Sequence, residues 1–267
     1  MIEFAGGVAY PTGALFSPTM IITVHQPHYL PWLGYLHRMA SADLFILLDH
    51  VQFERGNYQN RTQILVHGAP RWLTVPVVQR SQKERICEKL VQNNDAGGPR
   101  WWSQVHFQTL RHAYREAACI NVYLRELRAI FEARWECLAD MNAAALEFLR
   151  GALGIRTPIV RSSELGVDGA KSDLILNLCR AVGADVLLAG LGGSRDYLDA
   201  GAFAREGVNI AYQVFRHPQY PQCGSGAFVP GLSSIDLLLN CGPASRGLLL
   251  GENAGGSREQ QQSRVAA

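Results

Sequence analysis

The chain has little that would mark a membrane, metal or nucleic-acid protein. No apolar run approaches the roughly 18–20 residues that span a bilayer, so no membrane helix is expected. Six cysteines (Cys87, Cys119, Cys137, Cys179, Cys223, Cys241) are scattered without a single CxxC pair. That spacing suggests neither a zinc site nor a disulfide framework, and no metal or other cofactor is expected. Charge of one sign is also missing: 25 Lys and Arg face 23 Asp and Glu, for a net charge of +2. Without a basic stripe, a nucleic-acid partner is not expected. Residues 1–20 are mildly apolar but lack a basic segment ahead of the apolar part, so they do not read as a secretory signal. Thiols that would stay reduced make the cytoplasm the expected compartment.

What remains is the composition of a globular protein, with 48% hydrophobic and 18% charged residues. Residues 1–19 are expected to form a flexible arm. The Gly/Gln/Ser/Arg-rich tail, 251–267, is expected to be disordered. A single domain over 20–250 is left between them. Its first elements are an apolar β-branched run (20–24), a loop, a helix beginning at Pro31, and a second buried-type strand, DLFILLD (43–49). Strand, helix and strand within about thirty residues form a βαβ unit, which requires a parallel pair. Further strands are expected in RWLTVPVV (71–78), TPIVRSSEL, DVLLAG (185–190) and NIAYQVF (209–215), and a last short helix in IDLLLNCG. Between them, residues 100–153 show helical spacing, as in Leu124, Leu127, Ile130 and Phe131. The expected fold is α/β, with a mostly parallel sheet and a helical insertion at about 100–153.

Ligands of open parallel sheets bind beyond the carboxyl ends of the strands. His25 stands at such an end, in HQPHYLPWLGYLHRM, and the loop it opens leads to a helix N-terminus suited to anions. An imidazole there can serve as a base near neutral pH or donate to an anion. Asp49 ends the next strand and is expected to face the same crevice. Polar side chains follow in DHVQFERGNYQNR, where Gln52, Asn60 and Arg61, with Gln26 of the first loop, are candidate substrate ligands. AGLGGSRDYL resembles a backbone nest, in which Gly192 would permit close approach and Arg195 would add charge. His217, Tyr220 and Gln222 of HPQYPQ are placed at the pocket rim.

HQPHYLPWLGYLHRMASADLFILLDHVQF, NYQNR and WLTVPV resemble the opening of the WbqC-like family. LAGLGGSRDYLD, HPQYPQ and FVPGLSSIDLLLNCG resemble its closing half, in the same order. The resemblance covers about residues 21–242. It implies a place in O-antigen or polyketide and other natural-product biosynthesis, and acyl transfer as the reaction class: thioester hydrolysis, or transfer of an aminoacyl (glycyl) group to an amino sugar. The implied substrate is a small-molecule or acyl-carrier-bound thioester. Two departures stand out: His28 occupies a position that is typically Asn, and AACINVYL replaces a segment that often reads Ala-Pro-aromatic.

Cys119 in that altered segment is a candidate nucleophile, with His112, His25 or His217 as the group that would generate the thiolate. The alternative is a small buried residue, in which case His25 with Asp49 would activate water or an amine directly, aided by backbone N–H groups near Gly192. Two readings from other classes stay open. His25-x-x-His28 after the first strand is similar to the HxGH motif of nucleotidyltransferases, which would make the fold HUP-like, although Pro27 stands where glycine is expected. A non-catalytic carrier-protein partner would instead present an apolar patch, such as Trp101–Trp102. A homodimer is compatible with the sequence.

Overall fold

A computed structural model describes residues 19–93, 101–190, 192, 197–224 and 226–251. The expected arm (1–19, apart from Thr19), most of the tail, and Arg195 lie outside the described residues. Five parallel strands form the main sheet: β1 (Ile21–His25), β2 (Leu44–Leu47), β5 (Ile159–Arg161), β6 (Val186–Ala189) and β7 (Asn209–Tyr212). Their order is β5-β2-β1-β6-β7, with every neighbouring pair parallel. A separate antiparallel hairpin joins β3 (Arg61–Val66) to β4 (Ala69–Thr74). His67 and Gly68, at φ +50° and +74°, turn it. Two successive positive φ values make a tight two-residue turn whose twist matches its strands.

The sheet strands are buried runs that alternate between two cores. On β2, Phe45 and Leu47 face one cluster while Leu44 and Ile46 face the other. The first cluster is closed by α1 (Leu33–Ala40), by α2 (Trp101–Ala113), α3 (Ile120–Glu132) and α4 (Leu138–Ala152), and by α7 (Ser234–Cys241) with α8 (Ser245–Leu250). The second is closed by α5 (Lys171–Ala181) and α6 (Ala200–Arg205). Helices on both faces of a parallel sheet make a Rossmann-like, doubly wound α/β fold. The helices α2–α4 fall between β4 and β5, and none of the described helices is long and apolar enough to cross a membrane.

Some boundaries differ from the sequence reading. α1 begins at Leu33, not at Pro31, because Pro31 and Trp32 are held extended: the Ser234 N–H donates to the Pro31 carbonyl at 2.8 Å, and Trp32 bridges to Ser233. The expected helical stretch 100–153 is broken after Ala113, and Cys119 itself is the N-cap of α3. Trp102 is buried in the first core, so it forms no surface patch.

Candidate functional site

In chain order, the five sheet strands read 3-2-1-4-5, and the direction of winding reverses between β1 and β6. A crevice opens beyond the strand ends at such a reversal. The structure has a cavity of about 660 Å³ at this point, lined by His25 at the end of β1, Gln26 after it, Arg38 of α1, Gly190 and Gly192 after β6, and Gln213 after β7.

His25 is presented here by the loop that Pro27 and Pro31 keep out of helix. Leu30 has φ +45°, unusual for a residue with a branched side chain. Two hydroxyls hold it there: Thr62 Oγ1 and Ser233 Oγ donate to the Leu30 carbonyl at 3.0 and 2.8 Å. The His25 Nδ1–H donates to the Gln26 carbonyl at 3.0 Å. A carbonyl oxygen can only accept, so the proton sits on Nδ1 and Nε2 carries the lone pair. Nε2 has no partner among the described residues and is not sealed from solvent; it is the nitrogen a ligand can reach. The ring meets those of His28 and Tyr35, each with centroids 4.5 Å away. Burial, then the Arg38 cation, then His28 hold the His25 pKa well below 6.5. His25 is therefore a neutral, proton-accepting imidazole at physiological pH. Burial and Arg38 also lower His28, to about 3.

Arg38 is 7% exposed. Its Nε is sealed without a hydrogen-bond partner, and no carboxylate pairs with it among the described residues. Gly190 lies directly against its guanidinium: a β-carbon there would sit 2.1 Å from Nη1. The opposite wall is aromatic. Trp32 folds over Gly34 and meets Phe215 edge-on at 5.7 Å. Gln213 Nε2 donates to the Gly34 carbonyl at 2.8 Å and lies 2.9 Å from His37 Nδ1, fixing α1 to the end of β7.

His217 is at the rim, but both its nitrogens are used. Nδ1–H donates to the Pro218 carbonyl at 2.8 Å, and Nε2 accepts from the Gly231 N–H at 3.2 Å. It latches the wall formed by Pro230 and Gly231.

The structure brings His25, Gln26, Gly192 and His217 together. It does not bring Asp49 or Cys119 to them. The Asp49 carboxylate turns toward β5 and accepts three hydrogen bonds, from Ser162 Oγ, Ser163 N–H and Ser163 Oγ at 2.9–3.1 Å. It is fully buried there and ties β2 to β5. Cys119 packs against the end of α7: its N–H donates to the Leu239 carbonyl, and its Sγ is where a β-carbon on Gly242 would intrude, at 2.5 Å. Tyr123 and Cys241 lie near it, and neither is a general base of the kind a thiolate needs.

The remaining expected ligands are spread over other parts of the fold. Gln52 donates to the Gln82 carbonyl near the surface. Asn60 binds Val75 backbone, and the Arg61 guanidinium stacks 4.2 Å over Trp72. Tyr220 and Gln222 bond the buried Asp236, which Tyr114 also reaches at 3.0 Å. This hub joins α7 to the hairpin, since Tyr114 Oη accepts from the Leu65 N–H. A second cavity of about 670 Å³ lies between α2 and the β3–β4 turn, away from the strand ends.

Arg38, Gln213, Trp32, Phe215 and Tyr197 were absent from the sequence-derived site, and all five line the strand-end cavity. Arg38 had a readable signal: a lone cation on a short helix whose other residues are largely apolar.

The fold and cavity define a doubly wound α/β protein with a preformed pocket at its switch point. The chain belongs to the WbqC-like protein family, whose model matches residues 26–247. It is similar to the uncharacterized protein Rv1507c of Mycobacterium tuberculosis, at 28% identity over 226 residues, covering 83% of this chain and 94% of that protein. No solved structure matches it.

Proposed function

We propose that the protein is an acyl-transfer enzyme that passes an acyl group from a thioester directly to an acceptor, with His25 Nε2 as general base. One observation carries the reading: a neutral His25, its free nitrogen open to the switch-point cavity, among described lining residues that include no Cys, Ser, Thr, Lys, Asp or Glu. The described lining thus supplies a base without a Ser, Thr, Cys or Lys nucleophile beside it. The resemblance to natural-product and O-antigen proteins supplies the acyl class and points to a carrier-bound or free thioester.

In the proposed step, an acceptor O–H or N–H attacks the thioester carbonyl while Nε2 takes its proton. The tetrahedral intermediate collapses with cleavage of the C–S bond, and the departing thiolate recovers that proton. The Gly192 N–H is the proposed oxyanion donor. Water as acceptor gives hydrolysis; an amino sugar gives an amide. Cys119 is a packing residue in this reading.

Intact-protein mass spectrometry with an acyl thioester tests it. Thiol release by wild type without any acyl-protein adduct, and its loss in His25→Ala, are expected. An adduct that disappears in Cys119→Ala would overturn it.

A second reading, nucleotidyl transfer, is favoured by the packing of His25 on His28 at the loop that leads into α1. Pyrophosphate release from a nucleoside triphosphate, with no thioester consumed, would select it.

A further inference from the structure

We propose that the switch-point cavity recognises an oxyanion of its substrate, a carboxylate or phosphate group, and that Arg38 is the residue that forks it. The inference deepens the proposed function, resting on it for the reacting group but not for the anion itself.

A buried guanidinium is costly unless paired, because it forfeits hydration. Proteins normally meet that cost with a carboxylate or with backbone carbonyls. Among the described residues Arg38 has neither: its side chain donates no hydrogen bond to them, and Nε is sealed with no partner. Its two terminal nitrogens are not sealed, and Arg38 lines the cavity. They therefore offer a pair of parallel donors to whatever enters, the geometry that suits a carboxylate or phosphate edge.

The surroundings agree in sign. Among the described residues, the charged and titratable groups facing Arg38 are His25 at the end of β1, His28 in the loop after it, Tyr35 from its own helix, and Tyr197 after β6. None is an acid. Gly190 completes the seat, since any side chain there would take the space of Nη1. The helix thus carries a cation that is buried, oriented and left for a ligand to neutralise. An anion beside Arg38 would lie in the same cavity as His25 Nε2, so it would anchor one end of the substrate while the acyl group meets the base.

The probes are inorganic phosphate and acetate, with chloride at matched ionic strength as control, and the readout is thermal unfolding of the full chain. Wild type should show a saturable rise in midpoint with at least one of the two anions, as expected for a ligand that binds only the folded state. Arg38→Met should weaken that binding by about a hundredfold or more. It should leave only the linear salting effect common to all proteins. Arg38→Met should also be no less stable than wild type without anion, since it replaces an unpaired charge by an apolar chain of similar length. Arg38→Lys keeps the charge but not the fork and should fall between. Response to phosphate alone identifies a phosphate-bearing substrate, and response to acetate alone a carboxylate. No saturable response in wild type, or an unchanged one in Arg38→Met, overturns the proposal. An anion response without thioester turnover would sink the acyl-transfer reading and leave the role of Arg38 standing.

Discussion

Gly190 carries no side chain because Arg38 occupies the space: a β-carbon on Gly190 would lie 2.1 Å from Arg38 Nη1. The end of β6 and the body of α1 are thereby fitted to each other across the switch point. Gly190→Ala should displace the guanidinium rather than the backbone, since a long side chain can swing. Its stability should fall by about 1 kcal/mol, measured by urea unfolding. Its response to phosphate or acetate should fall much further, by about tenfold (1.4 kcal/mol) or more. Unchanged anion binding in Gly190→Ala would show that the pairing of these residues has no functional weight.

Gly34 is tied to the opposite wall. A β-carbon there would lie 2.2 Å from the Trp32 indole. Gly34→Ala should drive the ring off its place against Phe215 and cost about 1–3 kcal/mol, the range for overpacking. A shift in tryptophan fluorescence, together with weaker binding of any substrate found for the wild type, would report it. A crystal structure of Gly34→Ala with Trp32 unmoved would refute the account of this wall.

His28 makes the fold sensitive to acid. Its folded pKa, about 3, lies below the ordinary 6.5, so the unfolded chain binds the extra proton throughout that interval. The stability this provides is complete above about pH 6.5 and is lost as pH falls toward 3, at up to about 1.4 kcal/mol per pH unit. His28→Asn removes the titrating ring. Its stability curve between pH 6 and 4 should be flatter than that of wild type, and equal slopes would count against a buried neutral His28.

Glu84 acts lower on the pH scale. Its carboxylate meets Lys89, 1% exposed, at 2.6 Å and Arg80 at 2.8 Å, and Lys89 first of all holds it to about 2. A depressed acid stabilises above its unfolded pKa of about 4.5, and that stabilisation disappears as pH falls through 2. Removing Lys89 leaves the carboxylate in a buried site with the Arg80 guanidinium and the long hydrogen bonds from the Arg80 and Ser81 N–H groups. Lys89→Met should cost about 3 kcal/mol at neutral pH. A stability within about 1 kcal/mol of wild type would mean that Arg80 and the Ser81 N–H suffice.

Much of the architecture was legible in the residues. IITV before His25, DLFILLD and DVLLAG are too short and too continuously apolar to be surface helices, and all became central parallel strands. The placement of His25 at the end of the first strand followed from the same pattern. The partners of His25 were less legible, because they come from sequence-distant elements. Asp49 ends the strand beside β1 and reads as a neighbour, yet the turn at Ser162–Glu164 offers it three donors and draws it the other way. Arg61 looked like an anion ligand, but register puts it opposite the strand end at Thr74, near Trp72. Arg38 was passed over since a helix placed after a strand was expected to contribute its N-terminus, not a cation from its last turn. Sequence spacing states what shares a face; it does not state what an opposing strand leaves unpaired.

The most direct test of the central claim compares thioester consumption by wild type, His25→Gln and Cys119→Ala under identical conditions. General-base catalysis at the strand-end cavity predicts a loss of about 10²–10⁴-fold in His25→Gln. It predicts a rate within a few-fold of wild type in Cys119→Ala. Full activity in His25→Gln, with activity abolished in Cys119→Ala, would contradict the account and move the chemistry to the junction of α3 and α7.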